Sequence, residues 1–262
     1  MVQDRQRSRQ GTYVYGVVPS LSFNDGDQPI SAPAVGDPSA PVRTVVYEDL
    51  AAVVSDFPGG RCDINRENLL AHQRVLEEVT QRSDVLPVSF GTVAASDADV
   101  RDKLLRRGLE DLRAHLEYLR GRVELELKVL WNRDALFAEI AAEHDDIRAL
   151  RDALAGRPPD SAYHERIRLG ELTAAAIGDK SEAEAGAILD ALEPLAVDTV
   201  LNRNLSDMMV LNVSFLVERA LQDEFDARVQ QIGIAQEGRL TFQYVGPLPA
   251  YNFVNLNVEW AD

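Results

Sequence analysis

The side chains best suited to chemistry in this chain are His72, His115, His144 and His164, the single cysteine Cys62, and the acidic run Glu143-His144-Asp145-Asp146. A metal centre needs several His, Cys, Asp or Glu at ligand spacing, and an activated nucleophile needs a base beside it. Neither pattern is present. Each histidine falls in a predicted helix with no second His or Cys at ligand spacing, which reads as a partly exposed or internally satisfied residue. The acidic run has no turn-forming glycine to fold its carboxylates around a hard cation, so it reads as a solvated helix face. Cys62 lies beside a predicted helix start, but no histidine neighbours it in sequence to act as its base. Phosphate-binding loops, dinucleotide-binding glycine patterns, GxSxG elbows and HExxH or CxxC spacings are missing as well. We therefore expect no catalytic residue, no cofactor and no metal, in a protein that is not an enzyme.

Two other groups are suited to contact rather than catalysis. Along Gly121–Trp131 (GRVELELKVLW), Glu124, Glu126 and Lys128 alternate with Val123, Leu125, Leu127, Val129 and Trp131, the period of a strand with one buried and one wet face. At the end of the chain, Tyr251, Phe253 and Trp260 belong to an apolar, aromatic segment. These six residues are the candidate partner-binding set. A formal charge of -16 argues against nucleic acid, because neutralising phosphates takes Lys and Arg in excess. No apolar run reaches the roughly 18 residues that span a bilayer, and residues 1 to 10 lack the apolar core of a secretory leader. A lone cysteine fits a reducing compartment, so a cytoplasmic protein without a membrane partner is expected.

Residues 1 to 11 read as a flexible tail. Thr12–Val18 is a strand, Ser20–Pro41 a loop rich in Pro, Gly, Ser and Asp, and Val42–Tyr47 with Leu50–Ser55 a hairpin. Helix A starts at Asp63 or Asn65 and runs to about Arg82, with Leu69, His72, Leu76 and Val79 on one stripe. Val85–Val93 is a strand broken by Pro87, and Asp97–Leu119 is helix B. Residues 12 to 120 thus form an α+β domain, α/β-sandwich-like or a modified ferredoxin-like fold.

The second domain, residues 121 to 262, starts with the alternating strand. A helical hairpin at about 133 to 193 follows, with Leu136, Ile140, Ile147, Leu150 and Leu154 filling five of six positions of a four-three spacing on its first arm, Glu143 being the polar sixth, and Tyr163, Ile167, Gly170, Ala174 and Ile177 repeating the spacing on its second. Strands at Ala196–Asn202 and Met208–Phe215, a helix at Val217–Ile232 and a strand at Arg239–Val245 complete a β-α-β-β-α-β order, the ferredoxin-like unit with an inserted hairpin. Asn212, Ser214, Thr241 and Gln243 are expected to extend the wet face. That face has no aromatic residues on which single-stranded RNA could stack.

Three stretches, LAAVVSDFP at Leu50–Pro58, VLPVSFGTV at Val85–Val93 and GPLPAYNFV at Gly246–Val254, resemble in order and spacing the marks of the gas vesicle protein F/L family. Gly121, Glu124 and Lys128 are similar to its central segment, and the resemblance runs from Tyr13 to Val254. It departs at Leu248, Ala250 and Asn252, where the family commonly has tryptophan, proline and serine. The resemblance implies two domains, one of them ferredoxin-like with a helical hairpin. It also implies a cytoplasmic assembly factor or minor component of the gas vesicle that binds the hydrophobic shell protein and meets other vesicle accessory proteins. It carries over no catalytic residue. A ferredoxin-like module that binds a small molecule or regulates a partner is the alternative, since that fold serves many functions.

Overall fold

In a computed structural model of the protein, residues 10–22, 29–158, 162–254, 256 and 258 are described. They form a mixed helix-and-sheet fold with two sheets. The chain divides into two compact units, Met1–Glu124 together with Pro247–Asp262, and Leu125–Gly246. The sequence alone keeps the segment after Gly246 with the second half, whereas the fold groups it with the first unit.

In the first unit, β1 (Gln10–Pro19) pairs antiparallel with β3 (Leu50–Pro58), which pairs with β2 (Val42–Tyr47) across the Glu48-Asp49 turn. Both faces of β1 are buried, and Tyr13, Tyr15, Val53 and Phe57 pack in one cluster with Val75, Leu76 and Val79 of α1 (Arg66–Thr80). Asn65 starts α1 by accepting the Asn68 N–H at 2.8 Å, a cap that satisfies an otherwise orphan amide. Leu69, expected on the packed stripe, is exposed, and Ala71 and Val75 take its place beside His72 and Leu76.

The stretch expected as one strand over Val85–Val93 makes two short ones, β4 (Leu86–Pro87) and β5 (Val93–Ala94), each paired with β1. Pro87 has no N–H to continue a ladder, and Gly91 at φ +88 turns the chain between them. Helix B is likewise interrupted: α2 (Asp97–Asp99) runs into a π-helical stretch, Val100–Arg106, before α3 (Leu109–Leu119).

The second unit holds a four-stranded sheet in the order β7-β8-β6-β9, from β6 (Arg122–Trp131), β7 (Asp198–Leu201), β8 (Met209–Glu218) and β9 (Leu240–Leu248). The boundary between the units falls inside β6. Val123, Leu125, Leu127, Val129 and Trp131 are all buried, as their alternation requires. Phe215 on β8 meets Phe225 of α7 (Gln222–Ala235) with ring centroids 5.0 Å apart.

Among the described residues, three α-helices rather than two arms lie between β6 and β7: α4 (Arg133–Glu143), α5 (Asp145–Leu154) and α6 (Tyr163–Leu192). The first arm breaks at His144, whose extended backbone ends α4, and Asp145 and Asp146 then occupy the first turn of α5, where the helix dipole favours acids. Leu136, Ile140, Ile147 and Leu154 are buried and Leu150 half-buried, so the seam of the first arm is core. The second arm packs differently. Its expected stripe is mostly open, with Tyr163 64% and Ile167 43% exposed, while Leu169, Thr173 and the buried Ala176 face inward. At 100° per residue the packed face lies about 120° round the helix from the stripe that the fours and threes picked out.

A charge network fastens α4 and α6 to the start of β9. Arg239 gives Glu139 a forked pair of bonds at 2.6 and 3.0 Å and Glu184 one at 2.6 Å, with its guanidinium 5.6 Å from the Trp131 ring centre. Lys180 adds contacts at 3.0 Å to Glu139 and 2.9 Å to Glu143, and the Trp131 indole N–H donates to Ser181 at 2.8 Å.

Replacing Arg239 by Met should cost about 1–3 kcal/mol in chemical denaturation, since two carboxylates lose their shared donor. Arg239→Lys should recover only part of this, because an ammonium cannot supply the fork. Arg239 chiefly, helped by Lys180, holds the Glu139 carboxyl at about 2 against an ordinary 4.5. With the folded value depressed, that stabilisation is complete above pH 4.5 and is lost as the pH falls towards 2. The Arg239→Met protein should therefore show a flatter acid limb over that window.

Candidate functional site

Among the described residues no group of His, Cys, Asp and Glu is placed to hold a metal ion. Cys62 is buried, and burial together with the neighbouring Asp63 pushes its thiol up, away from an activated state. His72 sits in the first-unit core between two hydroxyls, with Nδ1 3.0 Å from Tyr13 Oη and Nε2 3.1 Å from Tyr251 Oη. Its ring stacks on Tyr15 at 5.7 Å. Desolvation lowers its pKa to about 4, against an ordinary 6.5, so it is a neutral structural imidazole at physiological pH.

The supposedly wet sheet face is largely covered. Glu124 is 2% exposed, and Asn212 and Ser214 are buried as well. Within the second unit the loop after β7 folds onto β8: Asn202 Nδ2 donates to Ser214 Oγ at 3.0 Å, and Asn212 Nδ2 donates to the Arg203 carbonyl at 2.9 Å. Glu126 and Lys128, two residues apart on one face of β6, pair with each other at 2.6 Å and stay half-open, while Thr241 and Gln243 of β9 are exposed.

Glu124 does something alternation could not show. Its Oε2 accepts the Asn252 main-chain N–H at 3.0 Å and its Oε1 the Asn252 side-chain amide at 2.5 Å, across 128 residues of sequence. Next to Asn252, Tyr251 turns its hydroxyl onto His72 while the residue as a whole stays 43% exposed. Ala250 and Val254 are buried, Phe253 is half-buried, and Leu256 bridges Val88 in parallel. The expected contact set is thus brought only partly together. Glu124 and Tyr251 serve one structural clasp, Glu126 and Lys128 do not take part in it, and Trp260 lies outside the described residues.

Sequence reasoning also missed a groove in the second unit. A cavity of about 270 Å³ is lined by Phe137 and Ile140 of α4, Ile147 of α5 and Leu169 of α6, and the charged side chains on its wall are both arginines, Arg148 and Arg151. The signal was available in the 4-3 spacing of α4 and α5. What spacing could not give is the break at His144, which displaces α5 so that the three helices leave a gap.

Glu124→Ala should destabilise the first unit by about 1–3 kcal/mol, the cost of removing a buried carboxylate that accepts two bonds from Asn252. Phe253→Ala, from a half-buried site, should cost less than the roughly 3–5 kcal/mol of a fully buried phenylalanine. Because the folded pKa of His72 is depressed, stability is greatest above pH 6.5 and falls as the pH drops from 6.5 to about 4, where the unfolded chain binds the proton more readily. His72→Gln, which cannot charge, should flatten that part of the stability–pH curve.

A family model described as gas vesicle synthesis protein GvpL/GvpF matches residues 11–255. Gas vesicle protein F of Streptomyces sp. (strain CB03234) is 36% identical over 254 residues, covering 93% of this chain and 99% of the relative. The protein F of Haloferax mediterranei is 30% identical over 220 residues, 83% of each chain. Among solved structures, GvpF from Anabaena sp. PCC7120 superposes with a TM-score of 0.79 at 24% identity, over 95% of this chain and 99% of that one. GvpF from Microcystis aeruginosa gives 0.75 at 22%, over 94% and 99%. These likenesses extend over both units and both sheets, and the chain belongs to the GvpL/GvpF family of gas vesicle synthesis proteins.

Proposed function

We propose that this protein is a non-enzymatic assembly factor or minor component of the gas vesicle that holds the hydrophobic shell protein through the groove between α4, α5 and α6. The groove carries the reading: it is apolar at its base, open to solvent, and its wall charges are Arg148 and Arg151 in a chain of net charge -16. An apolar subunit needs apolar cover before it is built into a shell, while the acidity of the carrier keeps the complex soluble. Glu124 and Tyr251 are already committed to internal bonds, which argues for the groove over the clasp as the contact surface. The family makes a cytoplasmic, vesicle-associated protein the natural setting, and no helix among the described residues is long and apolar enough to cross a membrane.

We read the second unit as ferredoxin-like with the three helices α4–α6 inserted. Counting its strands along the chain, the order β9-β6-β8-β7 is 4-1-3-2, which supports that reading. A ferredoxin-like fold does not select the function, and the groove is what favours this reading.

Co-expression with the shell protein followed by affinity capture tests the proposal. Binding should persist at high salt, because apolar contact rather than charge carries it. Phe137→Glu combined with Leu169→Glu should abolish capture while leaving the fold's circular dichroism intact. Capture that is unaffected by the double variant would overturn the assignment of the groove, and capture that salt abolishes would overturn its apolar character.

A further inference from the structure

Helix α6 presents a second surface, separate from the groove. Tyr163, Ile167, Gly170, Ala174 and Ile177 recur at alternating spacings of four and three, the pattern by which one helix seats against another. Yet the first four are exposed and Ile177 is only half-buried. A Cβ built at Gly170 or Gly178 meets nothing within 4 Å, so a second backbone can come close. The chain spends a coiled-coil seam on a face that its own fold leaves uncovered.

The residues flanking the seam indicate what covers it. With Ile167 and Ala174 at heptad positions a and Tyr163, Gly170 and Ile177 at d, Arg166 and Thr173 fall at g and Glu171 and Gly178 at e. In a parallel pair of identical helices each g residue faces the e residue five positions on in its partner. Arg166 of each copy then faces Glu171 of the other, twice by symmetry, and Thr173 faces Gly178, so no like charges meet. The antiparallel alternative places Glu171 against His164, a weaker partner while the imidazole is neutral, and leaves Arg166 opposite Thr173. Arg166 donates one bond to the Arg157 carbonyl at 3.0 Å, and a guanidinium has further donors for a carboxylate.

We propose that the α6 seam is a self-association surface on which a second copy of this chain docks its own α6 in parallel, with Ile167 and Ile177 in the core and reciprocal Arg166–Glu171 pairs at the rim. The seam is short and centred on Gly170 and Ala174, so the dimer is weak and reversible. Its use is to place two copies, and hence two grooves, in one assembly.

Sedimentation equilibrium on the full chain over a concentration series tests this. A monomer–dimer equilibrium is expected, and Ile167→Asp should weaken it by at least roughly tenfold, because a charge would have to be buried in the seam. Since Ile167 is exposed in the monomer, melting of the variant at low concentration should match the parent. Arg166→Glu and Glu171→Arg should each weaken the dimer, and the two together should restore it. A Gly170→Cys chain should oxidise to a covalent dimer, as identical residues face each other only in the parallel register. A monomer at every concentration, or a dimer indifferent to Ile167→Asp, would overturn the proposal. Crosslinking between Ile167→Cys and Gly170→Cys chains without any Gly170→Cys homodimer would overturn the parallel register. If Ile167→Asp abolishes shell-protein capture while the parent stays monomeric, the seam belongs to a different helix and self-association is wrong. Loss of capture on Phe137→Glu with Leu169→Glu leaves the dimer untouched, so the two proposals fail separately.

Discussion

A carboxylate that is almost wholly removed from water must be bonded, and for Glu124 the donors come from the far end of the chain. An unmatched buried charge costs several kcal/mol, comparable with the whole margin by which an ordinary domain stays folded. The first unit is therefore complete only when the segment after Gly246 has returned to it. Residues up to Glu124 provide the acceptor and His72, and Tyr251 and Asn252 provide the groups that satisfy them. The distance in sequence makes closure entropically expensive, but that cost grows only as the logarithm of loop length. The bonds to Glu124 and His72, with the buried Ala250 and Val254 on either side, work against it.

The second unit relies on a different balance. Several ion pairs are exposed neighbours on a single helix, such as Arg106 with Asp102 or Arg120 with Glu117, which contribute little in water. The Arg239 network differs because its members come from separated elements and share donors while only partly open to solvent. It ties Glu139 and Glu143 of α4 and Lys180 and Glu184 of α6 to the residue before β9. The apolar floor is formed by Ile140 and Ile147, which stay buried beneath the more open Phe137.

Much of this was readable in the sequence, and the parts that were not share a cause. Alternation over Val123–Trp131, broken only at Leu130, located β6 because a period of two has few competing explanations, and the β2–β3 hairpin and the Asn65 helix start were equally local. Local patterns do not say how many partners an element has. Glu124 looked wet because alternation assigns a face but not what covers it. The α6 stripe looked buried because heptad spacing says that a helix could pack, not that its own chain supplies the other half. The break at His144 escaped because nothing in Glu143-His144-Asp145 forbids a helix, and only the neighbouring helices decide. The candidate contact residues were legible as a strand face and an aromatic segment, but their meeting at Asn252 is a property of tertiary structure alone.

Gly170, Gly178 and Gly186 recur along α6, and none has a neighbour within 4 Å of where a Cβ would stand. Glycine in a helix interior costs up to about 1 kcal/mol relative to alanine, so these positions weaken α6 along its length, and Gly170 does so in the first turns, where most of the stripe is exposed. The amide hydrogens of the first turns of α6 should accordingly exchange with solvent through local opening, well before the sheet they are tethered to, and independently of it. A surface that breathes on its own can adapt its curvature to whatever it meets without endangering the rest of the molecule.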